Sequence, residues 1–150
     1  MTITRFSEIL KSIVESEEKL GVFYLKAAER LRDKRSREIV ELLKAEQDKT
    51  LETLSGMNLK AYKDAEFIKN PPDLKGDEFI SDVRAIVKDS PSQILARILR
   101  FEEILKEYYT HVRNVLAFDK DRELMDMLLQ MKFNQIKRIR SYIDDDNLVI

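Results

Sequence analysis

Apolar residues recur at steps of three and four along four long stretches of this chain, a spacing that restricts the fold to packed amphipathic helices. The first stretch predicts a helix from about Thr4 to Arg32, with Phe6, Ile9, Leu10, Ile13, Val14, Leu20, Tyr24, Ala28 and Leu31 on one face. Asp33 is placed to cap a second helix, about Lys34 to Ser55, whose stripe reads Ile39, Leu42, Leu43, Leu54 and then Met57. Gly56 either ends this helix or weakens it. A third helix is expected to run to about Leu116, with Ile94, Leu95, Ile98, Leu105, Tyr109, Val112 and Leu116 inward. The fourth spans about Asp121 to Ile143 and carries Met125, Leu128, Leu129, Ile136, Ile139 and Ile143. Asp144-Asp145-Asp146 would oppose the negative end of that helix, so it is expected to stop before them.

The breaks between stretches set the connectivity. Asn70-Pro71-Pro72 cannot lie inside a helix, because each ring removes a donor and restricts the residue before it. A long connection, about residues 63–89, therefore separates the second and third helices, with a short amphipathic helix expected from about Asp77 to Lys88 (Phe79, Val83, Ile86, Val87). Ser90-Pro91-Ser92-Gln93 then forms a start signal: Ser90 at the cap, Pro91 at the first helical position and Gln93 completing a capping box. Short turns within each helix pair and one long crossover describe an all-α, antiparallel four-helix bundle.

A chain of 150 residues suits one domain (1–150), and three Gly and three Pro leave little turn material for many short strands. The net charge of −1 supplies no field favouring nucleic acid or an anionic membrane. The lack of cysteine excludes disulfides, thiolate metal sites and cysteine nucleophiles. Met1-Thr2-Ile3-Thr4-Arg5 leads into an amphipathic segment rather than an apolar signal core, and no apolar run nears the roughly 20 residues of a membrane span. The expected address is the cytoplasm.

Three carboxylates interrupt the stripes. Glu17 lies between Ile13/Val14 and Leu20/Tyr24, Glu102 between Ile98 and Leu105/Tyr109, and Glu46 follows Leu42/Leu43. A lone buried carboxylate is costly unless it is paired, bound to metal or neutralised. The halves also repeat: Glu17-Glu18 precedes Phe23-Tyr24 as Glu102-Glu103 precedes Tyr108-Tyr109, and in each the second aromatic follows the first Glu by seven residues. Seven residues approximate two helical turns, so each Glu shares its inward face with a tyrosine. Nearly the same offset carries Leu42-Leu43-Lys44-Ala45-Glu46 onto Leu128-Leu129-Gln130-Met131-Lys132, setting Lys132 opposite Glu46.

In these features the four helices resemble the rubrerythrin branch of the ferritin-like superfamily. The resemblance implies a bundle centre holding two iron or manganese ions, with a Glu from each of the first and third helices and a Glu-x-x-His from each of the others. It maps the metal ligands onto Glu17, Glu46 and Glu102, and onto Lys49, Lys132 and Gln135, where the ligand type is replaced. Tyr24 and Tyr109 would support the carboxylates. His111, nine residues from Glu102, is about half a turn out of phase and supplies no replacement ligand. No cysteine-rich segment offers an attached iron–sulfur centre within this chain.

A protonated lysine has no lone pair and repels a cation. Three carboxylates against Lys49 and Lys132 come close to neutrality without any ion. The expectation is a salt-bridged core with no catalytic residue and no cofactor, in a homodimeric interaction or structural module whose protein partner the sequence does not name. The alternative is a divergent iron- or manganese-binding oxidoreductase or peroxide-response protein. Tyr24 and Tyr109 are read as hydrogen-bonding carboxylates, His111 as a rim residue, and Met125, Met127 and Met131 as core filler. The basic runs Arg30, Arg32, Lys34, Arg35, Arg37 and Lys132, Lys137, Arg138, Arg140 are read as solvated helix ends.

Overall fold

The structure is a computed structural model that describes residues 2–56, 66–74 and 90–148. Its order is β1 (Ile3–Arg5), α1 (Phe6–Arg30), α2 (Lys34–Gly56), β2 (Phe67–Lys69), α3 (Pro91–Val115) and α4 (Asp119–Leu148). The helices pack mainly as the pairs α1 with α2 and α3 with α4. The helix expected over Asp77–Lys88 lies outside the described residues.

The caps form as their residues dictate. Asp33 accepts from the Ser36 backbone N–H at 3.0 Å and from its hydroxyl at 2.6 Å, starting α2. Ser90 and Gln93 form the reciprocal capping box of α3, at 3.3 Å and 2.8 Å. Phe6, Ile13, Leu20 and Tyr24 of α1 and Ile98, Leu105, Tyr109 and Val112 of α3 are fully buried. Each such aliphatic or aromatic side chain stabilises the fold by about 1.5–3 kcal/mol relative to exposure. Phe23 and Phe101 meet edge to face with ring centroids 4.9 Å apart, joining α1 to α3.

Several expectations are corrected. The first helix does not reach Thr4, because Ile3–Arg5 pairs antiparallel with Phe67–Lys69, Thr4 opposite Ile68. Asn70 ends this ribbon with φ 48°, a left-handed conformation that asparagine tolerates, and its N–H donates to the Thr2 carbonyl at 2.7 Å. The fourth helix continues through Asp144-Asp145-Asp146 to Leu148. Repulsion at a helix end, a few tenths to about 1 kcal/mol per charge, does not outweigh continued helix propagation. In α2 the buried face is Ser36, Val40, Leu43, Gln47 and Leu54, while Leu42 is exposed. Met127 is exposed too, so only Met125 of the three methionines is fully buried.

Candidate functional site

Midway along the bundle three charged side chains from three helices meet in a region shut off from solvent. Glu17 of α1, Glu102 of α3 and Lys132 of α4 are all at most 1% exposed. The Lys132 Nζ lies 2.5 Å from Glu17 Oε1 and 2.8 Å from Glu102 Oε2. The ammonium thus joins the two repeat halves by pairing with the glutamate of each.

The tyrosines complete a crossed pattern. Tyr24 donates to Glu102, and Tyr109 donates to Glu17 Oε1 at 2.5 Å, so each phenol serves the carboxylate of the other half. The same seven-residue spacing puts each Glu and Tyr on the inward face. Gln47 of α2 adds a further donor, its Nε2 lying 2.8 Å from both the Glu17 carbonyl and Glu17 Oε2. Gly21 makes room for this contact, since a Cβ there would lie 2.7 Å from Gln47 Oε1.

Burial and charge act together on these groups. Burial opposes the charged form of Lys132, but attraction to Glu102 and Glu17 outweighs it and raises the lysine pKa. Burial raises the Glu102 pKa and Glu17 adds to the rise, while Lys132 opposes it. Both phenols are held well above the ordinary tyrosine range, by burial first and then by Glu102 beside Tyr24 and Glu17 beside Tyr109. They are therefore neutral donors, and the site holds its charge inside the protein. Glu17, Glu102, Lys132 and both tyrosines are all sealed from solvent.

Of six positions expected to converge, the structure brings together three, Glu17, Glu102 and Lys132, and buries a fourth, Gln135, whose amide has no hydrogen-bond partner among the described residues. Glu17, Glu102, Lys132 and Gln135 are buried. Glu46 instead sits at the rim, 30% exposed, with its Oε1 2.8 Å from Arg138 Nη1. Lys49 is exposed, and Gln47 occupies the inward position of α2. The physical reason is the rotation of α2 noted above: seating Val40 and Leu43 in the core turns Gln47 inward and Lys49 outward. His111 is exposed, as its phase required.

Gln47, Gly21 and Glu66 were not singled out from the sequence. The Glu66 carboxylate accepts from the backbone N–H groups of Ala117 at 2.6 Å and Phe118 at 2.7 Å, fastening the segment before β2 to the α3–α4 turn. The i,i+3 and i,i+4 steps from Val40 and Leu43 could have signalled Gln47. Nothing local signals a contact that spans 51 residues, as that of Glu66 does.

The side chains present do not suit a pair of metal ions. An ammonium stands between the two central carboxylates, and α2 contributes an amide. Among the described residues no group of three or more His, Cys, Asp or Glu side chains could hold a metal ion. No described helix is long and apolar enough to cross a membrane. Comparisons with protein families, with curated proteins and with solved structures find no match for the chain.

Proposed function

We propose that this protein is a non-catalytic interaction or structural module: an antiparallel, ferritin-like bundle in which an internal ammonium stands where related bundles hold metal. The observation that carries the reading is the placement of Lys132 Nζ within 2.8 Å of both Glu17 and Glu102. An ammonium neutralises one of the two negative charges there and, with the phenols of Tyr24 and Tyr109, satisfies the carboxylates without an ion. Two features support the antiparallel, ferritin-like arrangement: the short α1–α2 and α3–α4 turns, and the crossed Tyr–Glu pairs that relate the halves. The proposed assembly is a homodimer acting on a protein partner in the cytoplasm, with no nucleic acid, membrane or cofactor involved.

The test is elemental analysis of protein produced with supplemented iron and manganese, together with thermal melts with and without a chelator. The expected result is substoichiometric metal and an unchanged melting temperature. A site saturated at 100 times its dissociation constant would add about 2.7 kcal/mol, so a chelator-induced drop would favour a metal-binding oxidoreductase instead. Sedimentation equilibrium tests the dimer, and a monomer at micromolar concentration would remove that part of the proposal.

A further inference from the structure

A second polar feature lies outside the sealed centre. Between α2 and the C-terminal half of α4 runs an open cleft of about 520 Å³, lined among others by Glu46, Thr50, Asn134, Lys137, Arg138 and Ser141. Its volume falls within the roughly 300–1,000 Å³ of small-molecule sites. On α4 the spacings of three, four and seven residues from Asn134 put Lys137, Arg138 and Ser141 along one wall. On α2, Glu46 and Thr50 are one turn apart and form the other wall.

We propose that this cleft binds the phosphoryl group of a small phosphorylated metabolite. The donors it presents suit a tetrahedral oxyanion. Lys137 is exposed and makes no ion pair among the described residues. Glu46 holds Arg138 by one guanidinium nitrogen at 2.8 Å, which fixes the side chain in the cleft and leaves its other N–H groups to donate. The Asn134 Oδ1 accepts from Gln130 Nε2 at 3.1 Å, so the amide of Asn134 is oriented with its own NH2 free to donate. Ser141 adds a hydroxyl one turn beyond Lys137. With Glu46 counted against Lys137 and Arg138, the lining is net positive on a chain whose overall charge is −1. A cleft of this size with two cations fits a compact anion better than a nucleic-acid backbone, which needs an extended basic stripe.

The experiment titrates inorganic pyrophosphate into the 15N-labelled full chain at constant ionic strength and follows the amide resonances. Saturable shifts are expected at Asn134–Ser141 and at Glu46–Thr50. Lys137→Gln should weaken binding by about tenfold or more, as loss of a charge-assisted donor does. Glu46→Gln should tighten it by removing a carboxylate from the wall. Both positions are at least partly exposed, so far-UV circular dichroism should be unchanged in each variant. Citrate, run in parallel, separates a carboxylate from a phosphoryl source and should bind more weakly. Shifts that fail to saturate, shifts centred on Arg30–Arg37, equal affinity in Lys137→Gln, or citrate binding as tightly as pyrophosphate would each overturn the proposal.

Discussion

Replacing Lys132 with methionine removes the ammonium and keeps most of the side-chain volume, which isolates the role of charge. The variant leaves Glu17 and Glu102 facing each other, each at most 1% exposed, with the phenols of Tyr24 and Tyr109 and the Gln47 amide as their remaining donors. Stripping one partner from a buried pair costs about 3–5 kcal/mol. The protein can limit that loss by taking up a proton on Glu102, whose pKa is already raised by burial and is lowered mainly by Lys132. Protonating a carboxyl of ordinary pKa 4.5 at pH 7 costs roughly 3.4 kcal/mol, at about 1.36 kcal/mol per pH unit. The expected destabilisation at pH 7 is therefore about 3–4 kcal/mol. The sign of its pH dependence follows from the raised folded-state pKa. The folded variant binds a proton that the unfolded chain releases above pH 4.5, so the deficit shrinks as pH falls towards that value. Urea unfolding of parent and variant at pH 7 and pH 5, followed by circular dichroism, measures both quantities. A change within about 0.5 kcal/mol, typical of a surface lysine, or a deficit equal at both pH values, would refute the reasoning.

Gly21→Ala should destabilise by about 1–2 kcal/mol in the same assay despite a helix-propensity gain of about 1 kcal/mol, because the new Cβ meets Gln47 Oε1 at 2.7 Å and dislodges its bonds to Glu17; a more stable variant would show that α1 and α2 can part freely. In alkali, Lys132, Tyr24 and Tyr109 all have raised pKa values, so the stability each contributes is complete below its ordinary value of 10.5 or 10.0 and is lost as pH climbs towards the folded-state values. Tyrosinate absorbance should accordingly show two phenols that ionise only with unfolding, and early titration of all five tyrosines would contradict this. Combining Gln47→Glu, Lys132→Glu and Gln135→His should create Mn(II) binding that the parent lacks, whereas substituting exposed Lys49 should add nothing; titration calorimetry with Mn(II) distinguishes the two sets.

The helices and much of the site were legible for one reason. A polar residue at an inward phase of a long amphipathic helix can be located from spacing alone, as with Glu17, Glu102 and the paired tyrosines; Lys132 followed from the offset between the repeated halves, and Gln135 only from the family resemblance. Ser90 and Asp33 were legible because capping depends on residues three apart. The rotation of α2 was not, because Ile39-Val40 and Leu42-Leu43 are apolar doublets that allow two inward faces. Counting apolar residues selects Ile39, Leu42 and Leu43. Packing selects Val40, Leu43 and Gln47, since Gln47 finds bonds on Glu17 and space over Gly21. The β1–β2 ribbon has three-residue strands, too short to show alternation, and the Glu66 contacts join segments with no common periodicity.

Lys132 is proposed to stand as a permanently charged ammonium between Glu17 and Glu102. The most direct test observes that group itself, by 15N spectroscopy of the lysine side chains in the full chain with and without Mn(II). The account predicts an ammonium resonance, assigned to Lys132 by its absence in Lys132→Met, that exchanges slowly with water and stays charged beyond pH 10.5. Stoichiometric Mn(II) should leave that resonance intact. A neutral amine at pH 7, or selective loss of the Lys132 signal on adding one equivalent of Mn(II), would contradict it.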